Sequence, residues 1–232
     1  MSTLSGTGTR AATGATTTAG ALLATIRPGL GDGGAAVWPD AELLGYLNEA
    51  VREYSQHARR ISEVTLATAP GERRYALPGD LLHIISIEYP AGGKPRTYIH
   101  RLARTNRRFE NGRLYDLLPS YGAQPPVLFL SFDPAPGTTL LITYSHPHDA
   151  ALTLGSAVTV PYEHLHILLH YVLYAAARRL QQQEQAAPTS SSSLLMSQLA
   201  SNTRRLELTY LNALNRMLSN QRGEGAIIGW SG

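Results

Sequence analysis

The chain has 232 residues, 43% of them apolar and 16% charged, with a formal net charge of +3, a length that supports one sizeable core or two small ones. The absence of cysteine excludes disulfide scaffolds, thiolate metal sites and cysteine nucleophiles. No apolar run approaches the roughly 18 residues that a membrane-spanning helix requires.

Residues 1–16 are mostly Ser, Thr, Gly and Ala with a single Arg10, which predicts a flexible N-terminal arm without the pattern of a signal peptide. Thr17–Ile26 predicts a short helix through Leu22, Leu23 and Ile26, ended by Arg27-Pro28-Gly29. The most regular stretch comes next. Leu43, Leu47, Ala50, Val51, Tyr54, Ala58 and Ile61 share one face of a helix running from about Asp40 to about Ile61. Trp38 is placed to staple onto Leu43, and Asp40 and Glu42 put negative charge at the positive end of the helix dipole.

From Ser62 the pattern changes to short strands separated by turn residues. Glu63–Thr68, Arg73–Leu77, Leu82–Tyr89, a weaker Thr97–Leu102, Val127–Phe132 and Thr139–Ser145 are the predicted strands. With no helical crossover between them, an antiparallel sheet is expected, closed as a small sandwich or open barrel. Pro161 then suits the first position of a helix whose stripe is Leu165, Leu168, Leu169, Val172, Leu173, Ala176 and Leu180. Ser190–Ser193 offers the cap of a last helix, from Leu194 to about Ser219. Residues 221–232 combine Gly223, Gly225, Gly229 and Gly232 with Ile227, Ile228 and Trp230, which predicts an extended tail with an apolar end.

The expected fold is α+β. A flexible arm at 1–16 precedes a discontinuous antiparallel bundle of three long helices, 17–61 plus 160–220. A β-rich insertion occupies 62–159, and 221–232 form an extended C-terminal tail.

Charge is unevenly spread. Residues 94–113 hold seven cations, Lys94, Arg96, Arg101, Arg104, Arg107, Arg108 and Arg113, against one carboxylate, Glu110. Residues 114–177 contain no Lys or Arg at all. Such asymmetry is a solvated basic loop or a face turned toward a polyanion or an acidic partner. Tyr98, Phe109 and Tyr115 lie between the arginines, a mixture also found where bases stack on protein.

The other candidate motifs lack their chemistry. His166 and His170 lie one turn apart, but Ile167 stands where a zinc hydrolase carries its glutamate. Gly29–Gly34 lacks the Lys-Ser/Thr ending of a phosphate loop, and Gly155-Ser156-Ala157 is not a nucleophile elbow. No enzyme activity, cofactor or metal is therefore expected.

Several motifs occur in an order that resembles the head-to-tail adaptor (connector) proteins of tailed bacteriophages. They are Trp38-Pro39-Asp40-Ala41-Glu42-Leu43 with Tyr46-Leu47-Asn48-Glu49-Ala50, then Tyr75-Ala76-Leu77-Pro78-Gly79-Asp80. Leu130–Pro136, the strand Leu140–Tyr144 and Val160-Pro161-Tyr162-Glu163 follow. The likeness covers roughly residues 20–185; Pro39 departs from the usual Ser/Thr cap, and the basic segment 94–113 has no match. The resemblance implies a structural virion protein at the head–tail interface, assembled in the host cytoplasm. It implies a homo-oligomeric ring, often dodecameric, below the portal protein, which extends the channel for genomic DNA and meets a downstream tail or stopper protein. In that setting Ile227, Ile228 and Trp230 would dock on the portal. Arg101, Arg104, Arg107, Arg108 and Arg113 would contact DNA without sequence preference, or an acidic neighbour. The alternatives are another oligomeric virion part, such as a stopper or tail-completion protein, and a nucleic-acid-binding module.

Overall fold

The computed structural model describes residues 17–34, 37–119, 124–186 and 193–228. These form four α-helices and one seven-stranded mixed sheet, an α+β fold. The described chain divides into two compact units: Arg59–Pro147 make the sheet unit, and residues 17–58 with those from His148 onward make the helical unit. The predicted arm at 1–16 and part of the predicted cap at Ser190–Ser193 lie outside the described residues.

In the helical unit, α1 (Ala19–Ile26) is capped by Thr18, whose hydroxyl accepts the Ala21 N–H at 3.2 Å. A 3₁₀ turn at Arg27–Leu30 follows and ends at Gly31, whose φ of 68° favours glycine. Asp32 then organises the approach to α2 (Asp40–His57). Its carboxylate accepts the backbone N–H groups of Val37 and Trp38 at 3.0 and 2.9 Å and the Arg27 guanidinium at 2.8 Å. Arg27 is buried and also pairs with Asp40 in the first turn of α2.

This network explains how α2 begins without a side-chain cap. Pro39 occupies the cap position and makes no side-chain hydrogen bond. Glu42 stands where a capping-box carboxylate would reach back for the cap amide, and proline has none. Glu42 instead pairs with Arg179 and accepts the Tyr46 hydroxyl at 2.8 Å. The Arg179 guanidinium in turn lies 5.3 Å from the Trp38 ring centre. Trp38 and Leu43, at the two staple positions, are both buried in one core.

α3 (Leu165–Ala186) is the hub of this unit, because α1, α2 and α4 (Ser193–Ile228) all pack on it. The arrangement therefore differs from a bundle of three long helices: the short α1 is a fourth member, adding Leu22, Leu23 and Ile26 to the core. Two boundaries also differ. α2 stops at His57, because Ala58 is extended, and Ile61 belongs to a strand with its side chain 66% exposed. The β-branched Ile61 fits helix and strand periodicity alike, and cross-strand pairing from Arg60 onward selects the strand. The expected extended tail is replaced over 221–228 by continued helix. Glycine costs about 1 kcal/mol per helical position, but adding residues to an existing helix avoids the larger cost of nucleation.

The sheet unit contains β1 (Arg60–Ala67), β2 (Arg74–Ala76), β3 (His83–Glu88), β4 (Tyr98–Arg101), β5 (Leu114–Leu118), β6 (Val127–Leu130) and β7 (Thr139–His146). Their order is β1-β7-β3-β4-β5-β6-β2. Every neighbouring pair is antiparallel except β4 and β5, which run parallel with His100 opposite Leu114 and Arg101 opposite Tyr115. The purely antiparallel expectation fails at this pair. β5 has no strong alternation, and residues 102–113 read as an ordinary basic loop when they are in fact a crossover.

Leu66, Tyr75, Ile87, Ile99, Tyr115, Leu128, Leu130, Leu140 and Ile142 form a core to which all seven strands contribute. One curled sheet closing on one core thus takes the place of the expected sandwich. The first residue of β1, Arg60, lies opposite the last residue of β7, His146. Within the helical unit, the Ser55 hydroxyl accepts the His148 N–H at 3.0 Å.

Replacing Arg27 by Met removes the guanidinium that neutralises Asp32 and Asp40. The expected cost is about 3 kcal/mol of stability, measured as a lower urea midpoint for loss of helical circular dichroism.

Candidate functional site

The crossover between β4 and β5 carries the basic segment. Parallel strands need a connection of about a dozen residues, and residues 102–113 supply it with arginines. Lys94, Arg96, Arg101, Arg104, Arg107, Arg108 and Arg113 are all exposed. Among the described residues, the guanidinium groups of Arg101, Arg104, Arg107 and Arg108 make no ion pair. Arg113 lies 5.9 Å from the Tyr89 ring centre, and Arg96 approaches Glu88 at 3.9 Å.

The segment's single carboxylate is drawn away from them. Glu110 faces Arg73 at 3.9 Å, and Arg73 is itself held by Asp133 through bonds of 2.7 and 3.1 Å. Hydrogen bonding to the Arg73 guanidinium keeps the Asp133 carboxyl below the ordinary carboxylate range. The clamp from Arg73 to Glu110 and Asp133 therefore occupies the one carboxylate of the segment, Glu110. Nothing in local sequence signals it, because Arg73 and Asp133 are sixty residues apart.

The crossover is braced from within. Phe109, 1% exposed, stacks on Phe129 with ring centres 6.0 Å apart. Asp116 accepts the Arg104 N–H at 3.1 Å, and Asn106 accepts the Arg108 N–H at 3.0 Å. The Ser131 hydroxyl accepts the Leu114 N–H at 2.9 Å and donates to the Gly112 carbonyl at 2.6 Å. Ile99 and Tyr115 sit in the sheet core. Of the three aromatics between the arginines, Phe109 and Tyr115 are consequently spent on the fold, and only Tyr98 is exposed.

A second feature lies at the end of α4. The rings of Tyr171 and Tyr210 meet edge to face, 5.3 Å apart, and fix the register of α3 against α4. α3 begins six residues before Tyr171, so its start matches α4 near residue 216. Among the described side chains of α4, Met217 is the last buried one, and Ser219 and Asn220 are exposed. From there α4 continues to Ile228, roughly 18 Å of helix beyond the start of α3. Ile227 and Ile228 are its last two residues, and Trp230 lies outside the described residues.

The histidines are distributed among structural roles. His146 Nε2 and Nδ1 approach the Ser62 hydroxyl at 2.9 Å and Asp80 at 3.1 Å. His148 Nδ1 meets the Thr159 hydroxyl at 3.2 Å, and His164 Nδ1 meets the Tyr54 hydroxyl at 2.7 Å. Burial pushes the Tyr54 phenol up to about 12, with Glu163 adding to the shift. Among the described residues no three His, Asp or Glu side chains converge in a way that could hold a metal ion.

The described residues thus present an exposed cationic crossover and a last helix whose backbone continues to Ile228. The chain belongs to the phage head-to-tail adaptor family described as SU10 adaptor protein, whose family model matches residues 17–222. It is thus a bacteriophage structural protein. The match spans the basic crossover and ends before Ile227, Ile228 and Trp230. No match is found among curated proteins. No helix among the described residues is long and apolar enough to cross a membrane.

Burial holds the His146 and His170 imidazoles below their ordinary value of 6.5, with the neighbouring His166 also lowering His170. The folded state therefore prefers their neutral forms. The stability they contribute is complete above the unfolded value and is lost as pH falls through the folded one. The melting temperature should drop between about pH 7.5 and about pH 5, and by less in His170→Gln, as read by scanning calorimetry.

Proposed function

We propose that the protein is a non-catalytic head-to-tail adaptor. In this reading, copies form a ring, dodecameric by the family resemblance, directly below the portal protein. The ring extends the channel for genomic DNA and offers a platform to a downstream tail or stopper protein. It takes its place at the head–tail interface after assembly in the host cytoplasm, without a cofactor.

The observation that carries this reading is α4. The last buried side chain described in α4 is Met217, with Ser219 and Asn220 exposed after it, while the helix backbone continues to Ile228. A helix that runs on past its last described core residue is a natural handle for another protein, and the sequence follows it with the apolar Ile227, Ile228 and Trp230. A large apolar side chain gains roughly 2 kcal/mol when it is buried, so three of them offset the ordering of a short segment. The helices then build the ring body. The sheet unit presents Arg101, Arg104, Arg107, Arg108 and Arg113 to the DNA in the channel or to an acidic neighbour.

Deleting residues 223–232 should abolish attachment to portal-bearing heads and leave the circular dichroism spectrum close to that of the intact chain. Attachment retained at the original level would remove the docking role of the tail. Electron microscopy of purified particles tests the rest: density for this chain as a ring against the portal supports the adaptor. Density only at the far side of another ring would make it a stopper or tail-completion protein.

A further inference from the structure

We infer that the β4–β5 crossover is a preformed binder of the phosphate backbone of double-stranded DNA, indifferent to sequence. This rests on the adaptor reading above and sharpens it, because that reading leaves the partner of the arginines open between DNA and an acidic neighbour.

Base stacking needs exposed aromatic faces beside the cations. Phe109 is 1% exposed and Tyr115 is 6% exposed, so both are closed to a ligand, and the one exposed aromatic, Tyr98, lies on β4 outside the crossover. What the crossover itself presents is a set of guanidinium groups, whose forked donors suit phosphate oxygens. The crossover contributes no helix or ribbon to enter a groove; its one ordered turn is the three-residue Phe109–Asn111. Contacts to phosphate and none to base edges are what this surface can make.

One acidic neighbour available in a ring is a second copy of this chain. A second copy would have to offer free carboxylates. In the sheet unit Asp133 and Glu110 are committed to Arg73 and Glu88 to Arg96. Asp116 accepts the N–H groups of Arg104 and Leu117, and Glu72 accepts that of Arg74. In the helical unit Asp32 and Asp40 are held by Arg27, and Glu42 by Arg179. A second copy therefore offers scattered carboxylates such as Glu49, Glu63 and Glu163, whereas a DNA duplex carries a negative charge every ~1.7 Å along its axis.

Phe109, the Ser131 hydroxyl and the Asp116 carboxylate hold the crossover at its middle and both ends. The arginines are presented by a fixed backbone, so binding orders side chains only.

Fluorescence anisotropy with the full chain tests this, using two short duplexes of unrelated sequence, a single strand of equal length and poly-glutamate. Equal affinity for the two duplexes is expected, with a logarithmic salt slope that grows by about 0.9 for each phosphate contacted. Arg104→Gln with Arg107→Gln and Arg108→Gln should lower that slope by about 3, at unchanged circular dichroism. Tighter binding of the single strand or of poly-glutamate than of duplex overturns the inference. So does an unchanged slope in the triple variant. Particle imaging separates the two claims. If the intact chain sits at the portal vertex but binds no duplex, the crossover inference falls and the adaptor reading stands. If the chain binds duplex but never reaches the vertex, the adaptor reading falls and the phosphate-binding surface stands.

Discussion

Two strands that lie side by side and run the same way cannot be joined by a tight turn. Their connection must leave one end, travel back along the sheet and re-enter at the other. β4 and β5 impose that constraint on this protein, and much of the sheet unit follows from it. The twelve residues from Leu102 to Arg113 must run outside the sheet, over its surface. A surface connection of that length tolerates charge, and here it carries most of the chain's basic excess. The same length would leave it loose without internal bracing, which explains why Phe109, Asp116 and Ser131 are all committed to it. The parallel pair also joins the antiparallel β1-β7-β3-β4 strands to β5-β6-β2, so one sheet can curl around one core.

The helical unit is governed by a different balance. Its hub, α3, is contacted by three other helices, so apolar and half-buried residues occupy most of its circumference. Around that hub, ionic contacts set the geometry of the loops, and the Arg27–Asp32 pair among them is buried. Arg27 joins Asp32 to Asp40, and Glu42 joins the start of α2 to α3 through Arg179. Buried ion pairs add little net stability, because desolvation consumes the Coulombic gain. What they provide here is the entry angle of α2, which Pro39 by itself leaves without a cap.

What could be read from the amino-acid sequence follows the reach of each signal. The stripe from Leu43 to Tyr54, the staple of Trp38 and the strands around Leu140–Tyr144 are local patterns, and all three are present. The order of the family motifs was legible for the same reason. The parallel pairing was not, because β5 is five residues with only Tyr115 fully buried, too short for alternation to stand out. Ile61 satisfied two periodicities, and pairing with β7 chose between them. The aromatics near the arginines looked available because sequence does not reveal which way a side chain faces; Phe129 claims one of them. The Arg73 clamp was invisible, since its acids come from distant turns.

The way the sheet unit is joined to the chain has a consequence for the history of such proteins. It starts at Arg60 and ends at His146, which are cross-strand partners, so its two ends lie one strand spacing apart. On the helical side the cut ends are just as close, since Ser55 holds His148 by a hydrogen bond. Insertions survive where the broken ends are neighbours, and the sheet unit meets that condition at both of its ends. Selection can alter the cation-bearing surface, or replace it outright, while the hub of α3 and its packed partners stay unchanged.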